Sequence, residues 1–229
     1  MSENFAPEVE ARLRVDAQEI IARYPHPRSA IQPMLHLIQS EDGFVSPRGI
    51  ALVAEILSLT RAEVSAVATF YSQYRRHPNG EYHVGVCTNA LCAVMGGDDI
   101  WNALTEKLGV GSDETTDDGK ITLEALECNA GCDYAPVVMI NWEYFDNQTP
   151  ASALQLVDDL QAGKDVHPTR GAEKVHTFKE TERVLAGFED GHVNEGPGAG
   201  PATLAGLRQA RQNNWTSPQA TTSNGGETK

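Results

Sequence analysis

The chain contains four cysteines, and they come as two close pairs. Cys87 and Cys92 form a C-x4-C pair in CTNALC, and Cys128 and Cys132 form a C-x3-C pair in CNAGC. Four converging thiols can close two disulfides, hold a tetrahedral zinc ion or hold an iron–sulfur cluster. Disulfides belong to oxidising compartments. The start, MSENFAPEVE, has neither the basic and apolar regions of a signal peptide nor the Arg-rich bias of a transit peptide, so a cytoplasmic chain is expected. Zinc sites more often use tighter C-x2-C knuckles. A [2Fe–2S] rhomb also takes four thiolates and tolerates wider loops, since each pair can hold one iron. Such loops need small or polar residues that leave backbone N–H groups free to face sulfur, as Asn89, Ala90, Asn129 and Gly131 do. The spacing is not that of plant-type ferredoxins, and there is no C-x-x-C thiol redox motif. On spacing alone, zinc and iron both stay open.

The elements around the pairs decide whether the thiols can meet. Glu81 to Val86 alternates in β-branched and aromatic residues and predicts a strand running into Cys87. Ile121 to Glu127 predicts a second strand, ending at Cys128. If these strands are neighbours, both cysteine loops leave the sheet at one end. Between them, residues 91–108 read as one helix weakened at Gly96-Gly97, with Ile100, Leu104 and Leu108 on one face. Gly111 to Lys120 reads as an acidic loop ending in an Asp118-Gly119 turn. Ala135 to Trp142 is a buried-type strand with a short return through Tyr144-Phe145. A helix follows from Thr149-Pro150 to Gly163. The order β-α-β-β-β-α makes residues 81–165 an α/β unit.

Residues 1–80 predict four short helices and hence a small bundle. Apolar residues sit near helical spacing up to the Tyr24-Pro25-His26-Pro27 break, then over Ile31 to Ile38, after the Ser46-Pro47 cap, and after the Thr60–Glu63 capping box. Phe70, Tyr71 and Tyr74 close this part as an aromatic patch, read as core packing. From 166 onward the pattern fades. Residues 191–206 are rich in Gly, Pro and Ala, and 216–229 in Ser, Thr, Asn and Gly. Residues 166–229 are therefore expected to be an extended tail with little fold of its own, apart from a short helix near 203–212.

The 229 residues carry a formal net charge of −14. Nearly all of it lies in one segment: residues 1–80 sum to −1, 81–165 to −13 and 166–229 to zero. An acidic chain argues against nucleic-acid and anionic-membrane binding, which rely on clustered Lys and Arg. No run approaches the ~18–20 apolar residues of a membrane span. A [2Fe–2S] site with four thiolates is itself negative and more so when reduced. The acidic segment, with Glu127 and Asp133 beside the thiols, should therefore lower its reduction potential. Gly196 to Gly200 is glycine-rich but lacks the G-x-G-x-x-G register, and no Walker-type motif occurs, so no dinucleotide or flavin site is expected. His83 reads as packed or exposed rather than as a ligand. No catalytic residue is assigned.

Taken together, VATFYSQYRRHPNGEYHVGVCTNALC and GKITLEALECNAGCDYAPVVMINWEYFDNQTP resemble the 24-kDa [2Fe–2S] subunit of respiratory complex I, the E-subunit family of the bacterial NADH-quinone oxidoreductase. The similarity spans about residues 20–163. The resemblance implies an N-terminal helical bundle followed by a thioredoxin-like [2Fe–2S] ferredoxin domain. It implies one cluster on Cys87, Cys92, Cys128 and Cys132, near the flavin of a partner subunit that carries NADH, FMN and a [4Fe–4S] cluster. The chain would then be an electron-transfer subunit that does not itself transfer hydride, held with other peripheral-arm subunits on the cytoplasmic face of the membrane. Pro136 stands where such folds hold a cis proline. The equivalent subunits of NAD-reducing hydrogenases and NAD-dependent formate dehydrogenases are the nearest alternative, and a zinc-stapled interaction module is one of another class. Residues 166–190 depart from the pattern and are expected to order by lying along the partner, with Trp215 as an anchor.

Overall fold

The computed structural model describes residues 4–192 and 195–216. Helix α1 (Pro7–Ile21) opens on a proline and buries Leu13, Ala17 and Ile20. Helix α2 (Ile31–Asp42) stops at Gly43, whose φ of 78° is left-handed. Helix α3 (Pro47–Leu57) is capped by the Ser46 hydroxyl, which accepts from the Gly49 N–H at 3.0 Å. Helix α4 (Arg61–Phe70) opens on a reciprocal box between Thr60 and Glu63. Their inner faces meet in one apolar cluster that includes Leu35, Ile38, Val53 and Val64. Tyr74 joins it, and its hydroxyl donates to the Gln32 carbonyl at 3.1 Å. Phe70 and Tyr71 do not follow: Phe70 is 80% exposed and Tyr71 lies at the surface. The aromatic run is thus split, and core packing describes Tyr74 alone.

The sheet comprises β1 (Tyr82–Cys87), β2 (Glu114–Thr115), β3 (Ile121–Leu126), β4 (Val138–Ile140) and β5 (Glu143–Phe145), in the order β2-β3-β1-β4-β5. Strands β1 and β3 are parallel, and β4 runs antiparallel to β1 and β5. The predicted helix over 91–108 is two helices, α5 (Ala90–Val94) and α6 (Gly97–Leu108), broken where Gly96 takes a φ of 112°. Strand β2 lies inside the stretch read as an acidic loop; only Glu114 and Thr115 pair with β3. Strand β4 starts later than expected, at Val138, and stops at Ile140 because Asn141 and Trp142 turn through φ of 47° and 73°. The Ala135–Pro136 bond is cis. Helices α6 and α7 (Pro150–Gln161) bury Ile100, Leu104, Val157 and Leu160 against Val84, Val86, Ile121 and Leu123. Strand alternation then turns His83, Gly85 and Cys87 to the opposite face.

The tail departs most from expectation. Val166 and Val175 join the sheet core, and Ala186 joins the helical core. Helix α8 (Phe178–Leu185) packs on α2 with Phe178 and Glu182 buried. The Glu182 carboxylate meets His36 Nδ1 at 2.6 Å and accepts from Gln39 Nε2 at 2.8 Å. Residues 166–190 therefore pack on this chain's own cores, a correction to the extended-tail reading. Hydropathy misses the helix because part of its buried face is a carboxylate matched by polar groups on α2. Helix α9 (Ala205–Gln212) forms where a short helix was expected and buries no residue. Trp215 is exposed, and residues 217–229 lie outside the described residues.

A buried polar group joins the helical part to the sheet. Arg75, just beyond α4, meets the Glu124 carboxylate at 2.8 Å, and His83 Nε2 meets it at 2.7 Å. Burial pushes His83 down, so it stays neutral and donates through Nε2–H. Burial also pushes the Glu124 carboxyl up, but the His83 and Arg75 contacts outweigh this and bring it from 4.5 to about 2. A depressed folded value means stability that is full above pH 4.5 and lost as pH falls toward 2. Glu124→Gln should therefore cost on the order of 2–3 kcal/mol at neutral pH. It should also flatten the acid loss of stability in urea unfolding repeated across pH. A variant that keeps the wild-type acid slope would assign that slope to other carboxylates.

Candidate metal centre

The parallel register places Cys87 opposite Leu126, so the chain leaves β1 and β3 at the same edge of the sheet. From Cys87 it turns into α5, which carries Cys92. From Leu126 it passes Glu127 and Cys128 and reaches a 3-10 turn at Cys132–Tyr134. All four cysteines are free thiols. The sulfurs of Cys128 and Cys132 lie 3.6 Å apart. The Cys87, Cys92 and Cys132 thiols stand near enough to influence one another's ionisation. The structure thus brings the four sequence-predicted residues into one neighbourhood, as two pairs. Among the described residues, no three His, Cys, Asp or Glu side chains gather on the position of a single ion.

The pairs differ in depth. Cys87 and Cys92 are buried, over a floor of Val137, Met139, Leu126 and Trp142, whereas Cys128 and Cys132 are exposed. Burial pushes the Cys92 thiol up to about 11, partly offset by a hydrogen bond from the Val137 N–H. Its hydrogen bond with Cys128, then the coulombic effect of Cys128, push Cys132 up. Such thiols lose their protons readily only to a bound cation, which inverts the local charge balance. The Ala130 N–H donates to Cys128 Sγ at 3.4 Å. Four thiols in two pairs, with backbone N–H groups facing sulfur, form a donor set that fits a two-iron cluster.

The loops are held by specific contacts. Asn89 Nδ2 donates to the Glu127 carboxylate at 2.9 Å and ties one cysteine loop to the other. Glu127, expected from sequence to weigh on the reduction potential, is also a strap. Tyr144 donates its hydroxyl to the Asn129 carbonyl at 2.7 Å. Gly97 lies under the first pair: a Cβ there would stand 2.6 Å from the Cys87 carbonyl oxygen and 2.8 Å from that of Cys92. His83 is no ligand, being buried and engaged with Glu124. Arg170, on the tail, reaches the second loop. Sequence reasoning missed it, because nothing local sets Arg170 apart from the neighbouring Lys164 and Lys174.

The family profile of thioredoxin-like [2Fe–2S] ferredoxins matches residues 17–161. The E subunit of the NADH-quinone oxidoreductase of Mycobacterium tuberculosis is 59% identical over 216 residues, covering 94% of this chain and 85% of that protein. NADH-quinone oxidoreductase subunit 2 of Thermus thermophilus is 39% identical over 150 residues, covering 64% of this chain and 83% of its own. Among solved structures, a chain of an NAD+-reducing [NiFe]-hydrogenase in the air-oxidised state superposes with a TM-score of 0.51. Its identity is 20% over 57% of this chain and 23% of that one, a likeness of fold alone.

The burial difference gives a direct test. In the metal-free chain, alkylation followed by mass spectrometry should modify Cys128 and Cys132 well before Cys87 and Cys92. Gly97→Ala should erase much of this difference and lower the melting temperature, because the new methyl group displaces two cysteine carbonyls. Equal rates for all four thiols in the unsubstituted chain would contradict the geometry.

Proposed function

The chain belongs to the thioredoxin-like [2Fe–2S] ferredoxin family, among the E subunits of NADH-quinone oxidoreductases, and from that premise we propose that it is the electron-transfer subunit of the NADH dehydrogenase module of respiratory complex I. The observation that carries the reading is the parallel β1/β3 pair, which delivers two thiol pairs to one sheet edge. We assign Cys87, Cys92, Cys128 and Cys132 as the ligands of one [2Fe–2S] cluster. When bound, that cluster supplies a one-electron site.

The protein's own residues set its surroundings. Cys87 and Cys92 with Val137 and Met139 exclude water from one side, and Ala130 and Val137 offer N–H groups to sulfur. The chain has no G-x-G-x-x-G or Walker-type loop, which supports hydride transfer, with NADH and FMN, taking place on a partner flavoprotein subunit. Leu91, Val94 and Met95 are exposed in and just after α5, beside Cys92, an apolar patch suited to such a partner. No helix among the described residues is long and apolar enough to cross a membrane. We place it at the periphery of the complex, on the cytoplasmic face, in contact with further peripheral-arm subunits. We divide the chain into a helical bundle over 1–80, the cluster domain over 81–165 and a C-terminal segment from 166, of which residues 166–190 pack on both.

Anaerobic purification should yield a coloured chain with iron and acid-labile sulfide in equal amounts and an EPR signal on reduction. Cys128→Ala should abolish that signal. A colourless chain holding zinc without iron would overturn the proposal, and an unchanged spectrum in Cys128→Ala would break the ligand assignment.

A further inference from the structure

Arg170 lies beyond the span that matches the family, yet its guanidinium sits against the second cysteine loop. Its Nε stands 3.1 Å from Asp146 Oδ2, and its Nη2 donates to Oδ1 at 3.2 Å. Its Cζ lies 3.9 Å from the ring centroid of Tyr144 and 5.5 Å from that of Tyr134. Nη2 is also 3.2 Å from where a Gly131 Cβ would stand, and Gly131 directly precedes Cys132. Both members of the ion pair are largely buried, with side chains 15% and 8% exposed. Tyr144 in turn holds the Asn129 carbonyl. One cation therefore stands beside both ends of the Cys128–Cys132 loop, in the space a side chain at Gly131 would need and, through Tyr144, at Asn129. A planar fork that stacks and pairs at once is a property of arginine that lysine does not share.

Residues 196–203 hold Arg170 in place. Its Nη1 donates to the Gly198 carbonyl at 3.3 Å, and the Gly171 N–H donates to the Pro197 carbonyl at 3.3 Å. The Ala202 N–H donates to the Tyr134 hydroxyl at 3.1 Å, and Thr203 donates its hydroxyl to Asp133. Gly200 is required by this approach, since a Cβ there would stand 2.2 Å from the Tyr134 hydroxyl. The glycine-rich run that reads as structureless is a clasp.

We propose that Arg170 is a positioning residue of the redox site: it fixes the Cys128–Cys132 loop and neutralises Asp146, so that the pair sets the reduction potential of the group those thiols hold. The inference rests on the [2Fe–2S] reading above. Reduction adds one negative charge to the site. A buried Asp146 left without its cation opposes that charge, and removal of Asp146 favours it. The pair is largely buried beside Gly131, the residue before Cys132, and salt screens a buried charge little.

EPR-monitored redox titration of the cluster-loaded full chain tests this. R170Q should shift the midpoint to lower potential and D146N to higher potential. The R170Q/D146N double variant, in which the charge is again balanced, should return toward the unsubstituted value. R170K keeps the charge without the fork and should titrate closer to the unsubstituted chain than R170Q does. Cluster-bearing R170Q and D146N that both titrate at the original potential would overturn the proposal. Should R170Q fail to retain the cluster, D146N decides alone, by its upward shift or by the absence of one. An unsubstituted chain without any reduced-state signal would instead fail the cofactor reading, a separate outcome.

Discussion

The parallel pairing of β1 with β3 is the constraint on which the rest depends. Antiparallel neighbours would send the two cysteine loops to opposite edges of the sheet. Parallel neighbours need a crossover, and α5 with α6 supplies it. The register is tight at the edge that matters. Gly85 lies opposite Glu124, and a Cβ on it would stand 2.1 Å from Leu126 Cδ1. The absent side chain lets Leu126 fold over β1 beneath the cysteines, where it packs with Cys87, Val137 and Met139. Sheet pairing, a glycine and an apolar floor thus act together to place four thiols.

Electrostatics forms the second layer. The segment that holds the thiols carries a net charge of −13, and its flanks carry almost none. The flanks supply cations at chosen points instead. Arg75 arrives from the helical side to meet Glu124 and Asp113, and Arg170 arrives from the tail to meet Asp146. The pairs with Glu124 and Asp146 are shielded from water, where opposite charges attract strongly and a lone one is costly. The acidity that argued against nucleic-acid partners is therefore neutralised locally where it is buried. It remains a net field elsewhere on the segment. A redox group inside that field feels the nearest uncompensated charges first, since exposed charges beyond a Debye length are screened.

Most of the site was legible because its signals are local. Strand alternation ended at Cys87 and at Leu126–Glu127, close to where β1 and β3 stop. The Thr60, Ser46 and Thr149 caps marked helix starts within a residue. What could not be read was non-local. Strand β2 is two residues long and exists only through its pairing with β3. Glu127 and Asn89 bond across loops that are distant in sequence. The exposure of Phe70 depends on how the chain turns after α4, and an aromatic residue packs as well inside as at an interface.

The C-terminal segment shows why a polar pattern is not evidence of an absent fold. Composition predicts disorder when a stretch cannot bury enough apolar surface to offset its lost entropy. That estimate assumes the stretch must build a core alone. Here it completes two cores that already exist: Val166 and Val175 enter one, and Ala186 enters the other. Its buried Glu182 is stabilised by His36 and Gln39, groups equally polar when read in sequence. The segment also bridges the two parts, since the Phe178 N–H donates to the Glu81 carbonyl at 2.8 Å and Lys179 Nζ donates to that of Glu41 at 2.8 Å. A stretch that binds both the helical layer and the sheet fixes their relation to each other. The orientation of the exposed apolar residues beside Cys92 with respect to the helices is therefore set by the tail together with the Arg75–Glu124 contact.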